Sequence, residues 1–420
     1  MRSSAGTPPR AAGRIDSDRS VGPRAAAHAE VDMAGKPTMR QLLFNMRKID
    51  ASDLHLKVGM PPIFRVHGDL KLPANVQPLT GEDTEALLKE IIPEKLRERY
   101  DRTGDLDFST FLDLDDSGHA NETGKPRRHD RFRCNVFRAG GEMHGAIRRV
   151  KPEIPTFESL HLPDVYRKIS DETNEGLVLV VGVTGSGKST TLACMVERIN
   201  QTRAMNIVTV EDPVEFHFHP HMSVISQREL GIDVPTYGDA LRYIVRQDPD
   251  VIFIGELRDH DTVLAAIQAA ETGHFVFGSL HTADTMQAFS RIVEFFPQHE
   301  HDFIRASLAG TLKAICAQRL LPANMDVAKV GIVPATEVLL SNASVKESIR
   351  DAEDGNIPAI IAASRSDGMR SFTDSLAELV EAEMVTIHTA MEYAPSREQL
   401  SSKLKGVEVR SATMTGKVRG

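Results

Sequence analysis

The 420-residue sequence has no apolar run able to cross a bilayer; its longest, residues 177–183, falls far short of the roughly 20 residues a spanning helix needs. Its first residues carry arginines with no apolar stretch behind them, so they do not read as a secretory signal, and Met33 and Met39 are alternative starts. Cysteine is scarce. Cys134, Cys194 and Cys316 are odd in number and far apart, so neither a disulfide framework nor a four-cysteine zinc site can be drawn, and a reducing cytoplasm fits. A basic excess is also missing. The formal net charge is -9 and the pI near 6.0, which argues against a sequence-independent grip on phosphate backbones, so nucleic acid is not expected as the main partner. What is present, 41% hydrophobic and 26% charged residues, is ordinary for a globular chain of two or three domains.

Residues 1–37 are rich in Ala, Gly, Pro, Ser and Arg without apolar periodicity and read as a flexible tail. Order is expected from Thr38, where Thr38-Met39-Arg40-Gln41 has the form of a capping box and Leu42, Leu43, Met46 and Ile49 follow at helical spacing. Residues 53–58 alternate like a half-buried strand, and 63–66 before Gly68-Asp69 suggest a second strand entering a turn. Residues 113–130 are polar and turn-rich and read as a surface-loop insertion, with a strand resuming at Arg131. Prolines between 152 and 163 mark a linker. The expected boundaries are therefore a small α/β domain at 38–155, a larger domain at 156–400 and a flexible tail at 401–420. In the larger part, short β-branched runs at 177–181, 207–210, 251–254 and 275–277 alternate with helical patterns, which predicts a parallel sheet flanked by helices. Residues 336–393 read as helical and 394–420 as a loose end.

The strongest chemical signal is Gly182-Val183-Thr184-Gly185-Ser186-Gly187-Lys188-Ser189, a match to G-x-x-x-x-G-K-[ST] between a predicted strand and a predicted helix. The glycines let the backbone curl so that its N–H groups face a β-phosphate, Lys188 adds a cation, and the Ser189 hydroxyl can ligate Mg²⁺. Two acidic strand ends follow. Glu211 and Asp212 close the run 207–210, and a glutamate there can deprotonate a water attacking a γ-phosphate; the alternative is a solvated acidic turn stopped by Pro213. Glu256 closes the apolar run 251–254 in the Walker B manner and would hold Mg²⁺ directly or through a water; the alternative is a helix-start carboxylate. Asp261 is expected to cap a helix that ends at Gly273. His274 and His281 then bracket the next strand, His281 at its carboxyl end, while His274 reads equally well as a structural residue.

In Arg131-Phe132-Arg133-Cys134-Asn135-Val136 strict alternation puts Arg131, Arg133 and Asn135 on one face and Phe132, Cys134 and Val136 on the other. Arg148, on a neighbouring strand-like stretch, can join the cationic face. In a ring such arginines can reach phosphates bound to the adjacent subunit; otherwise they form a solvated basic face or ion pairs within their own domain.

Taken in order, these motifs resemble those of the secretion ATPase superfamily, and among them most closely the PilT-type pilus retraction ATPases of twitching motility, over residues 39–400. Residues 51–56 and 61–68 resemble the opening of that family's PAS-like N-terminal domain, 184–190 its Walker A, 211–215 its aspartate box, 248–259 its Walker B and 272–282 its histidine box. Ala317-Gln318-Arg319-Leu320-Leu321-Pro322 is similar to a further family segment. Three features depart from the pattern: Val183 stands where proline is usual, 113–130 is inserted, and Ser348-Ile349-Arg350-Asp351-Ala352 only faintly resembles the C-terminal helix motif linked to retraction.

The resemblance implies a RecA-like core with a smaller PAS-like domain and a helical C-terminal part. It implies ATP and Mg²⁺ as cofactors, with Thr184, Gly185, Ser186, Gly187, Lys188, Ser189 and Thr190 on the nucleotide and Ser189 and Glu256 on the metal. Glu211 becomes the catalytic glutamate, Glu256 the Walker B carboxylate, His274 and His281 the histidine-box pair, and Arg131, Arg133 and Arg148 the candidate trans arginines. It further implies a cytoplasmic homohexamer, peripheral at the inner membrane, that acts on a membrane platform protein and withdraws pilin subunits. An accessory or secretion ATPase without a retraction role, and a RecA-like nucleic-acid motor, are the competing expectations.

Overall fold

A computed structural model describes residues 36–66, 68–73, 76–113, 129–150 and 153–406. Residues 1–35 and 407–420, which hold most of the two expected tails, lie outside the described residues, as do 114–128 of the expected insertion.

The chain opens with the predicted capping box. Thr38 Oγ1 accepts from Gln41 N and Gln41 Oε1 accepts from Thr38 N at 2.9 Å, which starts the helix Met39–Lys48. Its buried stripe, Met39, Leu42, Leu43 and Met46, covers one face of an antiparallel sheet. That sheet is built from β1 (Ala51–Leu56), β2 (Ile63–Val66), β3 (Asp69–Lys71), β4 (Asp105–Asp113), β5 (His129–Ala139) and β6 (Glu142–Val150), in the order β3-β2-β1-β6-β5-β4. On β5, Phe132, Cys134 and Val136 are buried in this core, as alternation requires. One expectation is corrected here. β4 and β5 pair as far out as Asp113 and His129, so both ends of the presumed loop 113–130 belong to a hairpin.

The second sheet contains β7 (Gly176–Val181), β8 (Asn206–Glu211), β9 (Val224–Glu229), β10 (Val251–Ile254), β11 (Phe275–Leu280), β12 (Leu312–Pro322) and β13 (Ile332–Leu340), in the order β13-β12-β7-β11-β10-β8-β9. Every pairing is parallel except β12 with β13. Burial on both faces explains the continuous apolar runs. Leu177, Leu179 and Val181 of β7 enter one core cluster, whereas Val178 and Val180 enter the cluster on the opposite face. Phe157 and Leu162 join the second cluster, so the proline-marked linker packs onto the sheet instead of swinging free.

Two further expectations are corrected. Residues 336–340 complete strand β13 and are not helical, because they pair with β12 from Ala314–Leu340 to Pro322–Ile332. The presumed loose end contains the helix Arg397–Leu404, anchored by the fully buried Leu400. Among the described residues, no helix is long and apolar enough to cross a membrane.

Candidate functional site

Because β7, β11, β10 and β8 run parallel, their carboxyl ends meet along one edge, and each brings a motif residue there. After β7 the chain turns through Gly185 (φ 79) and Gly187 (φ 87), left-handed conformations suited to glycine, and enters the helix Lys188–Thr202. Gly182 is needed for a different reason. A Cβ there would fall 2.3 Å from Ser186 Oγ and 2.7 Å from the Gln318 carbonyl, so a side chain would force the loop open. Lys188 is buried and its Nζ donates to the carbonyls of Gly182 at 2.8 Å and Val183 at 3.3 Å. Burial lowers its pKa, and the Glu256 and Glu215 carboxylates push it back up. Thr184, Ser189 and Thr190 line the mouth of this loop and the first turn of the helix, whose leading N–H groups lack intrahelical acceptors.

Glu211, the last residue of β8, is only 5% exposed. Its Oε1 accepts from Thr209 Oγ1 at 2.8 Å and from Gln227 Nε2 at 3.3 Å, and its Oε2 accepts from Glu215 N at 3.3 Å. Burial raises its pKa to about 7, although these three donors and the Arg131 charge act the other way. Glu256, two residues past β10, lies in a charged setting. Arg258 Nε donates to its Oε2 at 2.7 Å, and His281 Nε2 is 3.0 Å from its Oε1. Arg258 also reaches Asp212 Oδ2 at 3.3 Å, so one guanidinium spans the tips of β8 and β10. His281 continues the line to the phosphate loop, with Nδ1 3.5 Å from Thr184 Oγ1. Burial and then the Lys188 charge lower its pKa, which favours the neutral imidazole.

The structure therefore gathers Thr184, Lys188, Glu211, Glu256 and His281 on one edge. His274 is not gathered with them in this chain. It precedes β11 at the sheet's amino end, its Nδ1 2.9 Å from Ala269 O and 3.0 Å from Thr272 Oγ1. The preceding helix is His260–Glu271, capped by Asp259, whose Oδ1 accepts from Thr262 N at 2.9 Å; Asp261 sits inside its first turn. The arginines also separate. Arg133 is exposed; Arg148 is largely exposed and donates to Asp53 Oδ1 at 2.8 Å; Arg131 is buried against Ser109 and Glu229 of its own chain.

Gln318, inside the family-like segment 317–322, is a site residue to which sequence reasoning attached no role. Its Nε2 donates to Ser186 O at 2.5 Å and its Oε1 accepts from Thr191 Oγ1 at 2.9 Å, so β12 braces the phosphate loop from behind. Gln227 of β9, which holds Glu211, is another. Among the described residues no group of three or more His, Cys, Asp or Glu side chains can hold a metal by itself. A divalent ion beside Ser189 and Glu256 would need phosphate oxygens to complete its shell, which is the usual arrangement for Mg²⁺.

A glycine cradle that a Cβ would fill, a buried lysine at its mouth, and two acidic strand tips with β11 set between the β7 and β10 strands define a RecA-like P-loop ATPase. Comparison with known proteins places it further. Residues 158–391, more than half of the chain, match the type II/IV secretion system protein family, and the chain belongs to that family. It is 35% identical over 356 residues to the "Type IV pilus retractation ATPase PilT" of Pseudomonas aeruginosa, spanning 84% of this chain and 97% of that one. It is 34% identical over 340 residues to a "Twitching motility protein" of Neisseria gonorrhoeae, spanning 81% and 86%. A crystal structure of the pilus retraction motor PilT with bound ADP superposes with a TM-score of 0.76 at 37% identity, covering 87% of this chain and 99% of that one.

Proposed function

We propose that this ATPase works as a homohexameric ring, cytoplasmic and held peripherally at the inner membrane by a pilus platform protein, where it drives type IV pilus retraction. Its working parts would be a small domain at 38–155 and a RecA-like core at 156–400. The observation that carries the chemistry is Glu211, buried at the carboxyl end of β8 on the same sheet edge as the phosphate loop and raised to about 7, since a general base works best with its pKa near the operating pH.

Thr184 to Thr190 would enclose the phosphates, with Lys188 at the terminal ones, and Ser189 and Glu256 would hold Mg²⁺, which supplies positive charge to the transferring phosphoryl group. Glu211 then accepts the proton of the attacking water. His281, tied to both Glu256 and Thr184, links the occupancy of the loop to the β11 strand end. Exposed Arg133 and Arg148 are the side chains free to face a neighbouring subunit's phosphates, at the cost for Arg148 of its pair with Asp53.

ATP turnover measured against oligomeric state tests the assembly. Arg133→Gln is expected to abolish most turnover while leaving the ring and ATP binding intact; full activity of a wild-type monomer, or of Arg133→Gln, would reject completion of the site from a neighbour. The retraction role is tested in a piliated host lacking the gene, which should lose twitching and regain it with wild type but not with Glu211→Gln.

A further inference from the structure

Arg131 and Arg133 leave β5 on the same face, yet Arg133 is exposed and Arg131 only 4% so. Arg131 Nη2 donates to Ser109 Oγ of β4 at 2.7 Å and lies 3.5 Å from Glu229 Oε2. Glu229 ends β9 directly opposite Glu211, the end of β8, in the register of that parallel pair. The same Glu229 oxygen accepts from Val214 N at 3.1 Å, and the next amide in the chain, Glu215 N, donates to Glu211. Leu230 N donates to Glu211 O at 3.0 Å.

The turn after β9 is docked on the small sheet as well. Glu229 N donates to Asp233 Oδ2 at 2.9 Å, Ile232 packs against the small sheet's core, and Gly231 sits beside the Arg99 guanidinium. Burial opposes the Arg131 charge, and Glu229, Glu211 and Glu215 together support it. One cation of the small domain is thus wedged among the carboxylates that shape the turn carrying the base.

We propose that Arg131 is a positioning residue acting within its own subunit: through Glu229 it ties the small sheet to the 212–215 turn and sets where the Glu211 carboxylate stands. Arg131 belongs to one sheet and Glu229 to the other, so rotation of the small domain changes this contact and with it the alignment of the base. Hydrolysis is then gated by the position of the subunit's own small domain, while phosphate contacts from outside fall to other arginines. The proposal rests on the ATPase function above and replaces the expectation that Arg131 reaches into a neighbour.

The test uses the full-length assembled protein. Arg131→Gln and Glu229→Gln should each lower kcat about tenfold or more with the KM for ATP little changed, and the double variant should be no worse than either single, as for two ends of one link. Rings co-assembled from Arg131→Gln and Glu211→Gln subunits, verified with two affinity tags, should stay as inactive as their parents, since every site then carries a defect of its own. Recovery to about a quarter of wild-type turnover, the share of sites repaired if a neighbour supplies the arginine in a head-to-tail ring, would overturn the proposal. So would a large rise in KM for Arg131→Gln with Glu229→Gln silent. If Arg131→Gln fails to assemble, Arg131→Lys, which keeps the charge but not the reach, replaces it in the same measurements, and the same results support or overturn the proposal. A wild-type ring without ATPase activity would instead defeat the functional assignment itself.

Discussion

The tips of β8 and β10 are adjacent, with Val210 opposite Ile254 and Gly255 packed against the Glu211 backbone, yet their two glutamates are kept in opposite conditions. Glu211 is enclosed, receives only neutral donors at hydrogen-bond distance, and is raised to about 7 by burial. Glu256 is clasped by the Arg258 guanidinium and faces His281. Environment alone thus divides one residue type into a carboxylate able to take a proton near neutrality and one held in a web of charge.

The strongest break in that comparison is Glu211→Gln. Loss of a positioned general base is expected to cut turnover by about 10²- to 10⁴-fold while ATP still binds, measured by steady-state hydrolysis and nucleotide titration. The same substitution has a signature in stability. A carboxyl whose folded pKa lies above its unfolded value contributes fully below the unfolded pKa, near 4.5, and loses that contribution as pH rises through about 7. Glu211→Gln should therefore melt above wild type at pH 8, with the advantage shrinking towards pH 5; equal melting shifts at both values would contradict a buried, proton-retaining Glu211.

The phosphate loop and both acidic tips are legible in sequence because each is a local pattern: an apolar strand, then a short chemical motif, then a cap or helix. What escapes is non-local. β12 is hidden because Lys313, Gln318 and Arg319 break up the apolar residues of 312–321, leaving neither a clean alternation nor a helical stripe although most of the strand is buried. Thr336 to Leu340 read as helix for want of the antiparallel partner that β12 supplies. Arg131 and Arg133 are equivalent by alternation, and it is contact with Ser109 of β4 and Glu229 of β9, both distant in sequence, that sets the buried one apart. Gln318 lies more than a hundred residues from the loop it braces, as its separations of 132 and 127 from Ser186 and Thr191 show.

A second test of the dry side of the site concerns that brace. Gln318→Leu keeps the volume but leaves the Ser186 carbonyl and Thr191 hydroxyl without their partner, a cost of about 1–3 kcal/mol for buried groups. The loss should be read mainly as nucleotide affinity weakened by about tenfold, because the distortion falls on the phosphate cradle, with a smaller change in kcat. Lower thermal stability with unaltered ATP affinity would assign Gln318 to the core alone.

The smallest expected effect separates the two ends of β11. His281 stands beside Glu256, Thr184 and Lys188, whereas His274 closes a turn at the opposite end of the strand through Thr272 and Ala269. His281→Asn removes a ring that spans the charged tip and the loop, and turnover should fall severalfold. His274→Asn exchanges one small polar group for another at a turn, a change that for surface positions stays within about 0.5 kcal/mol, so turnover should remain within about twofold of wild type. A defect in His274→Asn as deep as that in His281→Asn would mean that the ring brings the amino end of one subunit's β11 to the nucleotide edge of another, and the division between the two ends would hold only for the isolated chain.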